Sequence, residues 1–182
     1  FHCLKRFHEP FAHQRACRAG DELEDDFGVH GRLEDGALID AAGGTITLRA
    51  DRDIAVGRLV TTNNTAQAVS IISTSGALLD TGDTDGADIV AAGPDAVVTI
   101  TTATGIGADA NALETEISTL VATVAGSGNI NILETDAIDL ASVTTAAGSI
   151  TITSGGTLTA TDIDSSTTDD GSNDISLTTT AG

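Results

Sequence analysis

An aliphatic residue, any residue and a second aliphatic recur six times along the chain. The pairs are Ile46/Leu48, Val69/Ile71, Val98/Ile100, Ile130/Ile132, Ile150/Ile152 and Ile175/Leu177. Alternation with period two and many β-branched residues predicts short strands with one buried face. Eight residues after the first five starts come Ile54, Ala77, Ile106, Ile138 and Leu158. Thirteen residues after three of the starts come Leu59, Val143 and Ile163. The starts themselves lie 20 to 32 residues apart. Fixed internal offsets with a variable unit length predict fixed strands and variable loops. The fold class expected is all-β: a parallel β-helix, or solenoid, of about six coils, with like residues stacked at ~4.8 Å per coil.

In that arrangement the aliphatic pairs point inward, and Thr47, Ser70, Thr99, Asn131, Thr151 and Ser176 form one outward polar ladder. Gly76, Gly93, Gly126, Gly128, Gly148, Gly155 and Gly156 fall between strands, where positive φ is expected of them. Leu113–Val124 alternates too, and its Thr, Val and Ile content predicts a strand. A β-sandwich would also bury alternating strands, but it does not predict constant offsets within a unit. The repeats are expected to stack on further coils of the same parent chain.

Composition divides the chain into residues 1–36 and 37–182. All four Phe, both Cys and all four His lie in the first part, and no Lys or Arg follows Arg58. A basic stretch holding Lys5, Arg6, Arg15 and Arg18 precedes the acidic run Asp21–Asp26. Opposite charge blocks separated by glycines predict a poorly structured or partly helical leader, outside the repeat pattern, with either a native segment or one foreign to the repeat array as open readings. A short helix over Pro10–Arg18 is its one ordered candidate. The leader lacks the uninterrupted apolar core of a signal peptide.

The net charge of −19, from 27 acidic and eight basic residues, disfavours nucleic acid as a partner. No apolar run approaches the ~18 residues of a membrane span, so membrane insertion is not expected. Catalysis is not expected either. Beyond Leu59 there is no His for a Ser/His/Asp site, and no basic or aromatic residue to hold an acidic sugar. Glu114, Glu116, Glu134, Asp136 and Asp139 are then expected on turns and solvated faces. Ice-surface binding through Thr47, Thr99 and Thr151 is weakened by the interruptions at Ser70, Asn131 and Ser176.

Metal chemistry has three candidates. In the loop Asp80–Asp88, the hard oxygens of Asp83, Asp85 and Asp88 would suit one Ca²⁺. The spacing departs from the calcium-loop motif, and a solvated loop is the competing reading. The acidic stretch 169–174 is a lesser version of the same idea. Cys3, His8, His13 and Cys17 offer four zinc ligands, but not at the close Cys-x2-Cys spacing typical of zinc sites. A Cys3–Cys17 disulfide and two free thiols are the alternatives. Calcium is the one cofactor expected, if any.

The strings Gly44–Leu48 (GTITL), Gly128–Ile132 (GNINI) and Gly148–Ile152 (GSITI) resemble coil starts of filamentous-haemagglutinin-type exoproteins. The run Gly105–Thr115 (GIGADANALET) is similar to a connector in large bacterial haemagglutinin-like surface proteins. The likeness covers about residues 37–182 and is a style of repeat, with no catalytic signature. It implies a right-handed parallel β-helix, a secreted or bacterial cell-surface location, and a stalk or adhesive role. The implied partner is a host or surface glycan or protein receptor. Calcium-stabilised spacing within a giant surface protein is the alternative role.

Overall fold

The computed structural model describes residues 23–26, 31–32, 37–82, 86–165, 171 and 173–180. Strands β1 (Leu23–Asp26), β2 (Gly31–Arg32) and β3 (Leu38–Asp40) come first. The next turn is β4 (Ile46–Ala50), β5 (Ile54–Val56) and β6 (Arg58–Val60), followed by β7 (Val69–Ser73), β8 (Ala77–Asp80) and β9 (Ile89–Ala91). After it come β10 (Val97–Thr102), β11 (Gly105–Ile106) and β12 (Leu113–Ile117). Two turns then use longer strands: β13 (Thr119–Ser127) with β14 (Ile130–Glu134), and β15 (Ile138–Ala147) with β16 (Ile150–Ser154). The final turn is β17 (Leu158–Ala160), β18 (Ile163–Asp164) and β19 (Ile175–Thr179).

Named strands pair in parallel, each with its equivalent one turn away, in two sheets. This is a parallel β-solenoid of about six turns, as the repeat predicts. Among the described residues there is no helix long and apolar enough to cross a membrane.

Three inward columns run along the solenoid. In the first sheet Ile46, Val69, Val98, Leu120, Leu140 and Ala160 stack in register, at spacings of 23, 29, 22, 20 and 20 residues. In the second sheet Ile54, Leu78, Ile106, Ile130, Ile150 and Ile175 stack. Further along the same sheet Ile39, Leu59, Ile89, Thr115, Glu134, Ser154 and Thr179 form the third column. Besides the polar stretch of that third column, Ser73, Thr102 and Thr145 are buried in the first sheet, and the rest of the core is an aliphatic cluster almost wholly removed from water.

The single six-rung ladder of the repeat therefore resolves into two. Ile46/Leu48, Val69/Ile71 and Val98/Ile100 belong to the first sheet, whereas Ile130/Ile132, Ile150/Ile152 and Ile175/Leu177 belong to the second. The cause is chemical. The first-sheet strand above Val98/Ile100 presents Leu120 and Ala122, so a buried alanine hides the pair from a search for two aliphatics. The outward row after Thr47, Ser70 and Thr99 accordingly continues to Val121, and Asn131, Thr151 and Ser176 line the other sheet. Ile54 likewise faces Leu78, one place beyond Ala77. Ile138/Leu158 and Val143/Ile163 do stack directly. Leu113–Val124 forms two strands, β12 and the start of β13.

The expectation of positive φ at the inter-strand glycines needs correction. Among the described glycines positive φ occurs at Gly82, Gly86, Gly105, Gly107 and Gly171, and at none of the seven named for it. Several of the seven are required for a different reason: close backbone approach between turns. A Cβ on Gly128 would lie 1.9 Å from the Thr104 carbonyl oxygen. Lack of a side chain, and not access to the left-handed region, is what this corner uses.

Candidate functional site

The parallel register brings together carboxylates that are far apart in sequence. Strand β8 ends at Asp80 and β9 begins at Ile89. One turn on, β12 pairs with β9 through Ile89↔Thr115, which sets Glu114 beside Asp88. The two segments are tied twice: the Asp88 N–H donates to the Glu114 carbonyl at 2.8 Å, and the Glu114 N–H donates to Asp88 Oδ2 at 3.0 Å. Asp80 Oδ1 accepts the Gly82 N–H at 2.9 Å, an Asx-type turn that aims the carboxylate along the loop base.

One carboxylate oxygen from each of Asp80, Asp88 and Glu114 lies within 4.8 Å of the other two. Asp88 is buried, while Asp80 and Glu114 are half-buried. Asp80 Oδ2 is shielded from solvent and accepts no hydrogen bond among the described residues. Three hard anionic oxygens in one partly dry pocket suit a divalent cation such as Ca²⁺, which takes roughly six to eight oxygen ligands and completes its shell with water. The donor set therefore fits calcium.

Of the three calcium ligands expected from the sequence, Asp88 stands in this cluster, and Asp83 and Asp85 lie outside the described residues. Asp80 and Glu114 were not among them. Asp80 opens the same acidic loop, but Glu114 comes from the next turn, 26 residues beyond Asp88. No local spacing motif reaches that far; only the coil register could have found it. The zinc candidates Cys3, His8, His13 and Cys17 and the Pro10–Arg18 helix lie outside the described residues, as do Asp169 and Asp170. Asp174, at the end of that second acidic stretch, uses its carbonyl to pair with the Ile150 N–H at 2.8 Å.

A second carboxylate departs from expectation. Glu134, expected on a turn or solvated face, is 1% exposed and points into the solenoid. Its place in the column is the one filled by Ile39, Leu59 and Ile89 in earlier turns. It is accommodated because its neighbours supply donors. The Thr115 hydroxyl donates to Oε2 at 2.7 Å, and the Ile117 N–H is shared between both oxygens at 3.3 Å. The Asp136 N–H reaches Oε1 at 3.3 Å. Burial pushes the Glu134 carboxyl up to about 7, against the lowering effect of these donors, and the Asp136 carboxyl adds to the rise.

The run 105–115 begins with β11 and ends in β12, both in the second sheet, with a short connection between them. Ala108 and Asn111 form a tight antiparallel bridge, and Asp109 Oδ1 accepts the side-chain amides of Asn129 at 3.3 Å and Asn131 at 3.2 Å. At the other extreme, Ile175 and Leu177 continue the stacked column of Ile150 and Ile152 but stand 46% and 36% exposed. Comparison with family models, with curated proteins and with solved structures found no match.

Proposed function

We propose that residues 37–182 are a structural and adhesive repeat segment of a secreted or cell-surface bacterial exoprotein of filamentous-haemagglutinin type, with no catalysis of its own. One observation carries this reading: in-register stacking of Ile54, Leu78, Ile106, Ile130, Ile150 and Ile175 through consecutive turns. Such a column makes a stiff rod whose outer faces are free to present polar side chains to a glycan or protein receptor. The half-exposed Ile175 and Leu177 offer the matching surface on which a further coil of the parent chain would stack.

The test has two arms. Far-UV circular dichroism of the purified chain is expected to give a β-rich spectrum, and a coil spectrum overturns the self-standing solenoid. Saturable binding to a member of a panel of host-surface glycans and matrix proteins is the second expected result. Absence of binding across the panel overturns adhesion and leaves a spacer.

The carboxylate cluster favours a second reading in which calcium stabilises the segment. Occupied at a hundredfold excess over its dissociation constant, one such site adds about 2.7 kcal/mol to folding. Added Ca²⁺ is therefore expected to raise the melting temperature, and a chelator to lower it. E114Q and D80N should each abolish most of the shift while leaving the buried Asp88 in place. A melting temperature indifferent to calcium overturns this reading and leaves the structural one intact.

A further inference from the structure

We infer that the joint between the third, fourth and fifth full turns is operated by a proton on Glu134: the solenoid is tightened here when that carboxyl is protonated and loosened when it ionises. The geometry is that of a buried acid in a column that is aliphatic in earlier turns and polar at this level. Thr115 lies on one side of Glu134 and Ser154 on the other, so the acid takes part in both coil contacts of β14. Ser154 cannot relieve it, because its hydroxyl is already committed to the Asp136 carbonyl at 2.6 Å.

Among the described residues of the strands packed against Glu134 there is no cation to hold it when ionised. The chain has no Lys, Arg or His after Arg58. From the turn after β14 comes Asp136, whose N–H donates to Oε1 at 3.3 Å and whose exposed carboxyl, a second acid beside the first, raises the Glu134 carboxyl further. From β12 come Thr115 and, on the outward side, Glu114 and Glu116. The buried residues of β13 and β15 are Leu120, Ala122, Val124, Ile138, Leu140, Val143 and Thr145, none of which ionises. Loss of the proton therefore places a negative charge in a dry interior beside Asp136.

The direction follows from linkage. The carboxyl titrates near 7 in the folded chain against 4.5 without its surroundings. Between those values the folded state holds a proton that the unfolded state has released. This contribution is fully present below pH 4.5 and is lost as pH rises through about 7. General repulsion among the other carboxylates acts in the same direction, so the measurement must isolate Glu134.

Denaturant unfolding of the wild type and of E134Q, from pH 4.5 to 8, does so. Gln keeps the shape of the protonated acid and cannot ionise; its amide oxygen can still accept the Ile117 and Asp136 N–H groups, while its amide nitrogen donates to the Thr115 hydroxyl oxygen instead of accepting from it. The wild-type folding constant is expected to fall roughly a hundredfold or more relative to E134Q across this range. E134L, which restores the aliphatic of earlier turns, serves if the Gln variant fails to fold. Direct carbon NMR of the Glu134 carboxyl in the wild type gives an independent readout. A midpoint near 7 supports the proposal. A midpoint in the ordinary carboxylate range, or equal pH dependence in wild type and E134Q, overturns it.

Discussion

Replacing Ile130 by alanine is expected to cost about 2–5 kcal/mol of stability, read as a lowered urea midpoint. Ile130 is wholly buried and forms the middle of the second-sheet column, with Ile106 beneath it and Ile150 above. The truncation removes contacts to both neighbours at once. The cavity cannot collapse easily, because the register of each turn is pinned by its pairing with the next. Leu133→Ala is the control. Leu133 is on the same strand but 44% exposed, and its loss is expected to stay within about 0.5 kcal/mol. Equal effects at the two positions would mean that the column is not the source of stability.

Gly128→Ala is expected to be at least as damaging, for an opposite reason. The added methyl would meet the Thr104 carbonyl oxygen at 1.9 Å, its carbon at 2.4 Å and the Gly105 nitrogen at 2.9 Å. All three are backbone atoms, so no rotamer change makes room. Gly148 repeats the situation one turn later, where a Cβ would stand 2.2 Å from the Gly128 oxygen. Gly128 also donates its N–H to Ala147 and accepts the Thr145 hydroxyl, both at 2.8 Å. Moving this corner therefore breaks pairing above it as well as below. The cost should reach or exceed the ~1–3 kcal/mol typical of overpacking. Gly43, whose Cβ would find only Thr62 Oγ1 at 4.0 Å, is the matching control. Gly43→Ala should leave the urea midpoint within about 0.5 kcal/mol of wild type.

The architecture was legible because stacked coils repeat the same demand on the sequence. A strand with an inward pair of Ile, Leu or Val leaves the same mark in either sheet, and that is also where legibility stopped. Ile100 and Ile132 look equivalent along the chain, yet they stand in different sheets. Alternation reports which face of a strand is buried and not which neighbour it pairs with. The cluster of Asp80, Asp88 and Glu114 was half visible for the same reason. Asp88 was read from its own loop, but Glu114 reaches it only through the pairing of β9 with β12. Glu134 was misjudged because a carboxylate in an aliphatic column is rare. Only the column itself, with Thr115 and Ser154 on either side, shows how the interior turns polar at that level.

The parallel pairing of every turn with the next has a mechanical consequence. Its hydrogen bonds lie along the long axis, so a force pulling on that axis loads them a few at a time and not all together. Stretched from the Ile175 end, the solenoid would peel in discrete steps. The turn between Leu140 and Ala160 holds 20 residues, and its release would lengthen the chain by roughly 70 Å at ~3.3–3.6 Å per residue. A tether built in this way yields gradually under load and shortens again when the load is removed, one turn templating the next.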